Sequence, residues 1–382
     1  MEETVLINLV SKQPIPNILP ILEPELQIKR VLLVSSQNMT LQLKRLQAVY
    51  ADLGVPSEIF SANAPAYNVQ AMQNLCRNIL QSITESERIC LNVTGGTKLM
   101  ACSAWREIER ISNASIIYVD TAQRQIHRLH PPGLQPLSMQ SQMNLEKYMT
   151  AFGLTITDCK QRWGQGQKVP KLLSSTKNLA KYARKLHPFL GRVNWAGNTA
   201  LNQDRNEWPR TVVMNSPFPA KGLVKQMVHE LEQAGIFQIR GSQITFPGPE
   251  QAFYISGGWL EEYAFTQACR TGADEVGFSV QVQWSSDTDS QVHNEFDCLI
   301  VKHNQLWIVE CKTIAFKEKA AEVVYKLDSL RENAAGVFGR SCLVLARKPP
   351  EHFVQRAATN GQVVIGPDHL PDLAKRLDHI IG

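Results

Sequence analysis

The feature that most constrains the fold is the alternation of strand-like and helix-like segments in the first third of the chain. Four short β-rich runs have the apolar character of buried parallel strands, at residues 5–10, 31–35, 88–93 and 115–120. The stretches between them carry apolar residues at helical spacing, most clearly at residues 46–53 and 69–83. This order predicts an α/β fold, with a parallel sheet flanked by helices.

Polar or glycine-rich turns follow three of these strands, and in a doubly wound sheet such strand ends line one crevice. The most informative turn is Thr94-Gly95-Gly96-Thr97-Lys98. Free backbone amides at a helix start, two glycines that permit close approach and a nearby lysine favour a phosphate group. The turn matches neither the P-loop nor the G-x-G-x-x-G pattern. The alternative is a glycine turn needed only for strand-to-helix geometry.

The length of 382 residues predicts more than one domain. Residues 131–143 are rich in proline, glutamine and serine, which is typical of a linker. A helix and a hairpin turning at Arg240-Gly241-Ser242 then indicate a winged-helix-like unit, and Pro247-Gly248-Pro249 marks a second boundary. We therefore expect three domains, with the boundaries 1–135, 145–250 and 251–382.

The strongest local pattern lies in residues 294–313, where two β-rich runs meet at His303-Asn304. If these two residues form a hairpin turn, Asp297 faces Glu310 across the strands. Lys312 shares a face with Glu310, because side chains two residues apart in a strand project to the same side. The sequence thus places three charged side chains on one face.

Facing carboxylates lie about 5 Å apart and repel each other unless a cation compensates them. Oxygen ligands of this kind suit Mg²⁺ or Mn²⁺, and the backbone carbonyl of Cys311 can complete the set. Lys312 is then placed to orient the attacking water and to neutralise charge on a phosphate oxygen. We predict metal-assisted phosphodiester hydrolysis, with Asp297, Glu310 and Lys312 as catalytic residues. The alternative, an exposed charged hairpin, fits poorly with the apolar run at residues 306–309.

A helix with two glutamates precedes the hairpin, in the segment GGWLEEY at residues 257–263. Together with Asp297 and Glu310-Cys311-Lys312, it resembles the PD-(D/E)xK nuclease superfamily, whose core has a leading-helix glutamate followed by D…ExK strands. The resemblance implies Glu261 as a further metal ligand, with Glu262 as the alternative. Phe296 stands at a position where the superfamily often has a proline.

The whole chain resembles the CRISPR-associated ancillary nucleases that join a CARF domain, a Rossmann-like sensor of cyclic oligoadenylate, to a PD-(D/E)xK domain. The resemblance implies an N-terminal Rossmann-like CARF domain and a C-terminal restriction-endonuclease-like domain, with the winged-helix-like unit between them. It also implies a homodimer, cyclic tetra-adenylate as allosteric activator, and DNA or single-stranded RNA as substrate. The residues expected to bind the activator are Ser11, Gln13, Asn17, Thr94, Gly95, Gly96, Thr97 and Lys98.

Two other functions compete with this interpretation. One is a ligand-responsive nucleic-acid-binding regulator with a non-catalytic nuclease-like domain, against which the complete D…ExK set argues. The other is an ordinary restriction enzyme, which leaves the first 130 residues without a role. A formal net charge of +5 permits a polyanionic partner without requiring one.

The remaining composition argues for a cytoplasmic protein. The apolar runs are too short to cross a bilayer, and the N-terminus lacks the pattern of a secretory signal. The eight cysteines include no CxxC pair and lie mostly in apolar segments, which suits buried, reduced thiols rather than a zinc site or a disulfide framework.

Overall fold

The computed structural model describes residues 3–203, 207–284, 292–313 and 320–382, with the side chains of residues 320 and 321 left out. The chain divides into two compact units. The first comprises Met1–Thr155, Gln283–Val292 and Asn333–Phe338. The second comprises Ile156–Val282, His293–Glu332 and Gly339–Gly382.

The strands of the described residues fall into three sheets. They are β1 (Thr4–Leu9), β2 (Ile28–Val34), β3 (Ser57–Ser61), β4 (Arg88–Asn92), β5 (Ala114–Asp120), β6 (Gln125–His130), β7 (Leu137–Ser138), β8 (Leu154–Gly164), β9 (Arg210–Val213), β10 (Gln238–Arg240), β11 (Gln243–Phe246), β12 (Glu275–Trp284), β13 (His293–Lys302), β14 (Gln305–Lys312), β15 (Arg340–Leu345) and β16 (Gln362–Ile365).

The helices pack on these sheets and connect their strands. They are α1 (Ile15–Leu22), α2 (Thr40–Asp52), α3 (Val69–Gln81), α4 (Lys98–Ile108), α5 (Leu145–Ala151), α6 (Ser174–Tyr182), α7 (His187–Leu201), α8 (Gly222–Gln233), α9 (Pro249–Phe253), α10 (Trp259–Ala268), α11 (Ala320–Ala335), α12 (Glu351–Thr359) and α13 (Leu373–Ile381).

The first unit is built on a seven-stranded sheet of order β3-β2-β1-β4-β5-β6-β7. The strands from β3 to β5 run parallel, and β6 and β7 continue the sheet antiparallel. The four predicted strands are confirmed as β1, β2, β4 and β5, and the predicted α/β fold is confirmed with them. Strands β3 and β6 were not predicted, because their partly exposed side chains lack a long apolar run.

The segment predicted to be a linker, residues 131–143, belongs to the first unit. It contains β7, which pairs with β6, and the backbone amides of Gln140 and Ser141 donate to the Glu23 carboxylate at 3.0 to 3.3 Å. Helix α5 then packs on α2. The segment differs from the prediction because its polar backbone finds partners on the first unit instead of in solvent.

The second unit holds a six-stranded sheet of order β16-β15-β14-β13-β12-β8. Strands β13 and β14 form the predicted hairpin, with Lys302 opposite Gln305 and Cys298 opposite Val309. His303 and Asn304 have φ values of 52° and 63°, the positive pair that a two-residue type I′ turn requires. The hairpin and its register are therefore as predicted.

The middle region forms no compact unit of its own. Helices α6, α7 and α8 pack with a three-stranded antiparallel sheet of order β10-β11-β9, and the predicted hairpin turns at Gly241-Ser242. Leu179, Val193 and Met227 from this region share one buried core with Trp259 and Phe265 of α10. The winged-helix-like segment thus folds as part of the second unit, because its apolar face is covered by the segment that follows it.

Two further predictions concern thiols and membranes. All eight cysteines are free, and six of them are buried, as predicted. Among the residues that the structure describes, no helix combines the length and apolarity that a membrane crossing requires.

Candidate functional site

The predicted catalytic residues lie where the β13–β14 hairpin meets α10, which packs against both strands. The last paired positions on the hairpin are Cys298 and Val309, so Asp297 and Glu310 come directly after the ladder ends. At this point the backbone amide of Cys311 donates to Asp297 Oδ2 at 2.7 Å. The hairpin therefore brings Asp297 beside the Glu310-Cys311-Lys312 segment, as the register predicted.

Lys312 provides the positive charge of the site. Its Nζ lies 2.5 Å from Glu310 Oε1, and the two side chains are 29% and 17% exposed. Burial alone would lower the pKa of Lys312, but the adjacent Glu310 and Asp297 carboxylates outweigh that effect and raise it. Lys312 is consequently a cation at neutral pH.

The carboxylates of the site oppose one another's ionisation. Burial raises the pKa of Asp297 well above its ordinary value, and the negative charges of Glu310 and Glu261 raise it further. Burial, then the Glu295 and Glu310 charges, raises the pKa of Glu261 to about 7, although Lys312 counteracts this. The result is a concentration of acidic groups beside Lys312, which favours binding of a further cation.

The structure separates the two glutamates of α10. Glu261 is within electrostatic reach of Glu310, Asp297 and Lys312. Glu262 instead lines a neighbouring cavity with Lys160 and Phe278. Successive helix residues diverge by about 100° around the axis, so only one of the two can face the hairpin.

Thr313 and Asn194, which the sequence analysis missed, fix the end of β14. Thr313 Oγ1 accepts from Asn194 Nδ2 at 2.6 Å and donates to the Ser256 carbonyl at 3.2 Å. A Cβ added to Gly257 would lie 3.7 Å from Thr313 Oγ1 and 3.9 Å from Glu261 Oε1. The Gly257 backbone thus passes close to the acidic cluster, and Thr313 ties it to the strand that carries Lys312.

The carbonyl of Cys311, the predicted backbone ligand, points to the side of the strand on which Asp297 lies, as metal binding would require. The amide of Cys311 points to Asp297, and the amide and carbonyl of one strand residue point to the same side. The next carbonyl, that of Lys312, points the other way and accepts from the Ala346 amide at 3.0 Å. The Cys311 side chain itself is buried, and its thiol contributes nothing to the acidic face.

The donor set fits the expected divalent metal in its chemistry. In the described part of the chain, no three His, Cys, Asp or Glu side chains are already gathered around a common point as a metal site. Lys312 and the Cys311 amide occupy oxygens of Glu310 and Asp297 instead. The available donors are nevertheless all oxygens. Burial, together with the neighbouring carboxylates, raises the pKa of Asp297 and Glu261, and Mg²⁺ or Mn²⁺ would stabilise their charged forms.

In the first unit, two of the predicted ligand loops are adjacent because β1 and β4 pair in parallel, with Asn8 opposite Asn92. The loop after β4 packs tightly on the end of β1: a Cβ added to Gly95 would lie 1.9 Å from the Leu9 carbonyl oxygen. Gly96 has a φ of 70°, which favours glycine. Position 95 must be glycine as well, because any side chain there would collide with the Leu9 carbonyl and keep the two loops apart.

Thr97 and Lys98 open helix α4 next to these glycines. The Thr97 hydroxyl accepts from the Met100 amide at 3.2 Å as the N-cap and donates to the Ala66 carbonyl at 2.8 Å. Lys98 is exposed. The loop thus presents a lysine and the amide end of an eleven-residue helix to the surface, which suits an anion.

Several predicted ligand residues have internal partners. Asn17 is fully buried and its amide donates to the Leu9 carbonyl at 3.1 Å, so it positions the loop and has no exposed surface for a ligand. The Thr94 hydroxyl contacts Asn92 Oδ1 at 2.6 Å and the Val119 amide at 2.7 Å. Ser11 Oγ contacts the Gln13 amide at 3.3 Å, and Gln13 Oε1 accepts from the Val337 amide at 3.4 Å. These contacts shape the loops.

Two exposed side chains at the same edge of the sheet were not predicted as ligand residues. Lys12 is exposed between Ser11 and Gln13. Tyr67 is 82% exposed and follows Ala66, the residue that accepts from Thr97. A lysine and an aromatic ring beside a glycine loop suit a ligand with phosphates and bases. The sequence signal that could have indicated Tyr67 is its position directly after the turn-forming segment Ala64-Pro65-Ala66.

These features define a Rossmann-like domain with a glycine loop, followed by a domain with an acidic D…ExK site, and comparison with protein families agrees. Residues 5–148 match the Card1 CARF domain, and residues 249–381 match the Card1-like endonuclease domain. Together the two matches cover well over half of the chain. The chain therefore combines a Card1 CARF domain with a Card1-like endonuclease domain.

Solved structures agree with this fold. Protein VC1899 from Vibrio cholerae is 22% identical, with a TM-score of 0.85 over 99% of this chain and 98% of that one. Can2 from Sulfobacillus thermosulfidooxidans, determined in complex with cyclic tetra-adenylate, is 24% identical, with a TM-score of 0.79 over 100% of both chains.

A type III CRISPR defence DNA nuclease activated by cyclic oligoadenylate is 15% identical, with a TM-score of 0.56 over 98% of this chain and 52% of that one. No curated protein matches the chain significantly.

Proposed function

We propose that this protein is a metal-dependent endonuclease of type III CRISPR defence that cyclic tetra-adenylate activates. The observation that carries the proposal is the presence in one chain of a Card1 CARF domain and a Card1-like endonuclease domain. The acidic site at the β13–β14 hairpin supports the hydrolytic half. The glycine loop at the end of β4 supports the ligand-binding half.

The chain's own residues have distinct tasks in hydrolysis. Asp297, Glu310 and Glu261 would hold Mn²⁺ or Mg²⁺, with the Cys311 carbonyl directed to the same side. The metal would supply Lewis-acid chemistry at the scissile phosphate. Lys312 keeps its proton and donates to a phosphate oxygen as negative charge develops there, and it orients the attacking water.

Activator binding uses the loops at the ends of β1 and β4. The amides of Gly95, Gly96 and Thr97 and the ammonium group of Lys98 provide donors for phosphate groups. Can2, which shares this fold, was determined with cyclic tetra-adenylate, and this supports the choice of activator. The ligand shifts the enzyme toward its active state only as far as it binds that state more tightly.

The proposal includes a homodimer in the cytoplasm. A cyclic tetra-adenylate has two-fold symmetry, so two copies of one surface can meet it identically. Free, mostly buried thiols are compatible with a reducing compartment.

The test combines substrate, metal and activator. Supercoiled plasmid and labelled single-stranded RNA are incubated with the purified protein in the presence and absence of Mn²⁺ and cyclic tetra-adenylate, with Asp297→Asn as the inactive reference. We expect cleavage of at least one substrate only when both additives are present. Metal-independent cleavage, or full activity of Asp297→Asn, would refute the proposed site.

A further inference from the structure

A cavity of about 300 Å³ lies at the start of α10, inside the second unit, and is lined in part by Glu262, the neighbour of Glu261. Its described lining includes Phe253, Tyr254 and Phe278, the exposed Lys160, and Glu262. The volume is at the small end of the roughly 300–1,000 Å³ range of ligand pockets. It therefore suits one flat ring system and excludes a duplex.

Aromatic rings form the walls of this cavity. Phe253 is 42% exposed although it is a large apolar residue. Its ring lies against Gly258, the residue before α10: a Cβ added to Gly258 would be 2.7 Å from the ring. Between Phe253 and α10 the chain bends at Gly257, whose φ of 169° and ψ of −33° are not helical. The local backbone thus presents an aromatic face to solvent.

The polar groups of the cavity have opposite charges. Lys160 Nζ lies 5.1 Å from the Phe278 ring centroid, and Phe278 stacks on Phe265 at 5.2 Å. Glu262 lines the cavity and directly follows Glu261 in α10, which places the cavity next to the acidic site. A cation for the strand backbone, aromatic faces for stacking and a carboxyl acceptor are the groups that recognise a nucleotide.

We propose that this cavity binds one nucleobase of the substrate strand, next to the phosphodiester that the Asp297–Glu310–Lys312 site hydrolyses. The base stacks on Phe253, and an exocyclic amino group of cytosine, adenine or guanine donates to the Glu262 carboxyl oxygen. Thymine and uracil have no exocyclic amino group, and their N3–H lies between two carbonyl oxygens that a carboxylate repels. The inference rests on the proposed nuclease function, and it adds a base preference beside the cut.

The primary test is binding without turnover. Anisotropy of dye-labelled oligo-dC and oligo-dT is measured with activator and without divalent metal. Because one base-edge contact is worth about 1–3 kcal/mol, we expect wild-type protein to bind oligo-dC about 5- to 150-fold more tightly. Glu262→Gln should move this ratio toward one, since an amide can both donate and accept. Glu351→Gln, an exposed glutamate of α12, is the matched control.

A second pair of variants tests stacking. Phe253→Ala should weaken binding of both oligonucleotides by about 5- to 150-fold, because one stacked base contributes about 1–3 kcal/mol. Phe253→Tyr should restore it, and Trp195→Ala, an exposed aromatic outside the cavity lining, should have no effect. Since no cleavage is needed, a protein that binds but fails to cut refutes only the hydrolytic proposal. An unchanged dC/dT ratio in Glu262→Gln, or unchanged binding in Phe253→Ala, overturns the inference.

Discussion

Replacing Lys312 by alanine is the most informative single change at the acidic site. The substitution removes the ammonium group 2.5 Å from Glu310 and leaves the acidic groups of Asp297, Glu310 and Glu261 without their nearest cation. Loss of one preorganised donor to a developing negative charge lowers turnover by about 10²–10³, or about 2.7–4 kcal/mol. We therefore expect the single-turnover cleavage rate to fall by at least 100-fold at saturating activator and Mn²⁺.

The same variant should separate chemistry from metal binding. Because Lys312 competes with a metal ion for Glu310, Lys312→Ala should bind Mn²⁺ at least as tightly as the wild type, as measured by calorimetry. Lys312→Arg should recover little activity, since the guanidinium fork differs from a compact ammonium group. Lys302→Ala, at the turn end of the same hairpin, is the control. A Lys312→Ala rate within tenfold of the wild type would refute the assigned role.

Three further outcomes are expected. Folding raises the pKa of Glu261 from 4.5 to about 7, so between these pH values the folded protein holds a proton that the unfolded chain releases. The stability of the metal-free protein should therefore fall as pH rises through this interval. Thermal melts should show a flatter pH profile for Glu261→Gln and a larger stabilisation by Mn²⁺ at pH 8 than at pH 6. Lys98→Ala should weaken cyclic tetra-adenylate binding about tenfold in calorimetry, at the low end for a charged hydrogen bond because Lys98 is exposed, and leave the maximal cleavage rate unchanged. Gly96→Val should be more severe, because a β-branched residue is strained at a φ of 70°, and binding equal to the wild type would mean that this loop is only structural.

The sequence was most informative where short-range rules determine geometry. The hairpin register followed from two turn residues with the right backbone preference, and that register alone is enough to place Asp297 beside Glu310. The parallel strands of the first unit followed in the same way from apolar runs and helical spacing.

Long-range packing was not predictable in this way. Asn17 belongs to a motif that suggested ligand binding, yet it is buried against the Leu9 carbonyl. The contact between Asn194 and Thr313 joins residues 119 positions apart, and nothing in the local pattern indicates it. Residues 333–338, which include the last turn of α11, belong to the first unit, because Tyr148 and Gln13 contact Ala335 and Val337. Such contacts depend on which buried polar groups find partners, which only the folded chain determines.

The central claim is that one chain couples a cyclic nucleotide signal to metal-dependent cleavage. Its most direct test is the ratio of single-turnover cleavage rates with saturating cyclic tetra-adenylate and without it, at fixed Mn²⁺. We predict a ratio well above 10, which Lys98→Ala retains at higher activator concentration. A ratio of one, with cleavage equally fast in the absence of any activator, would contradict the account.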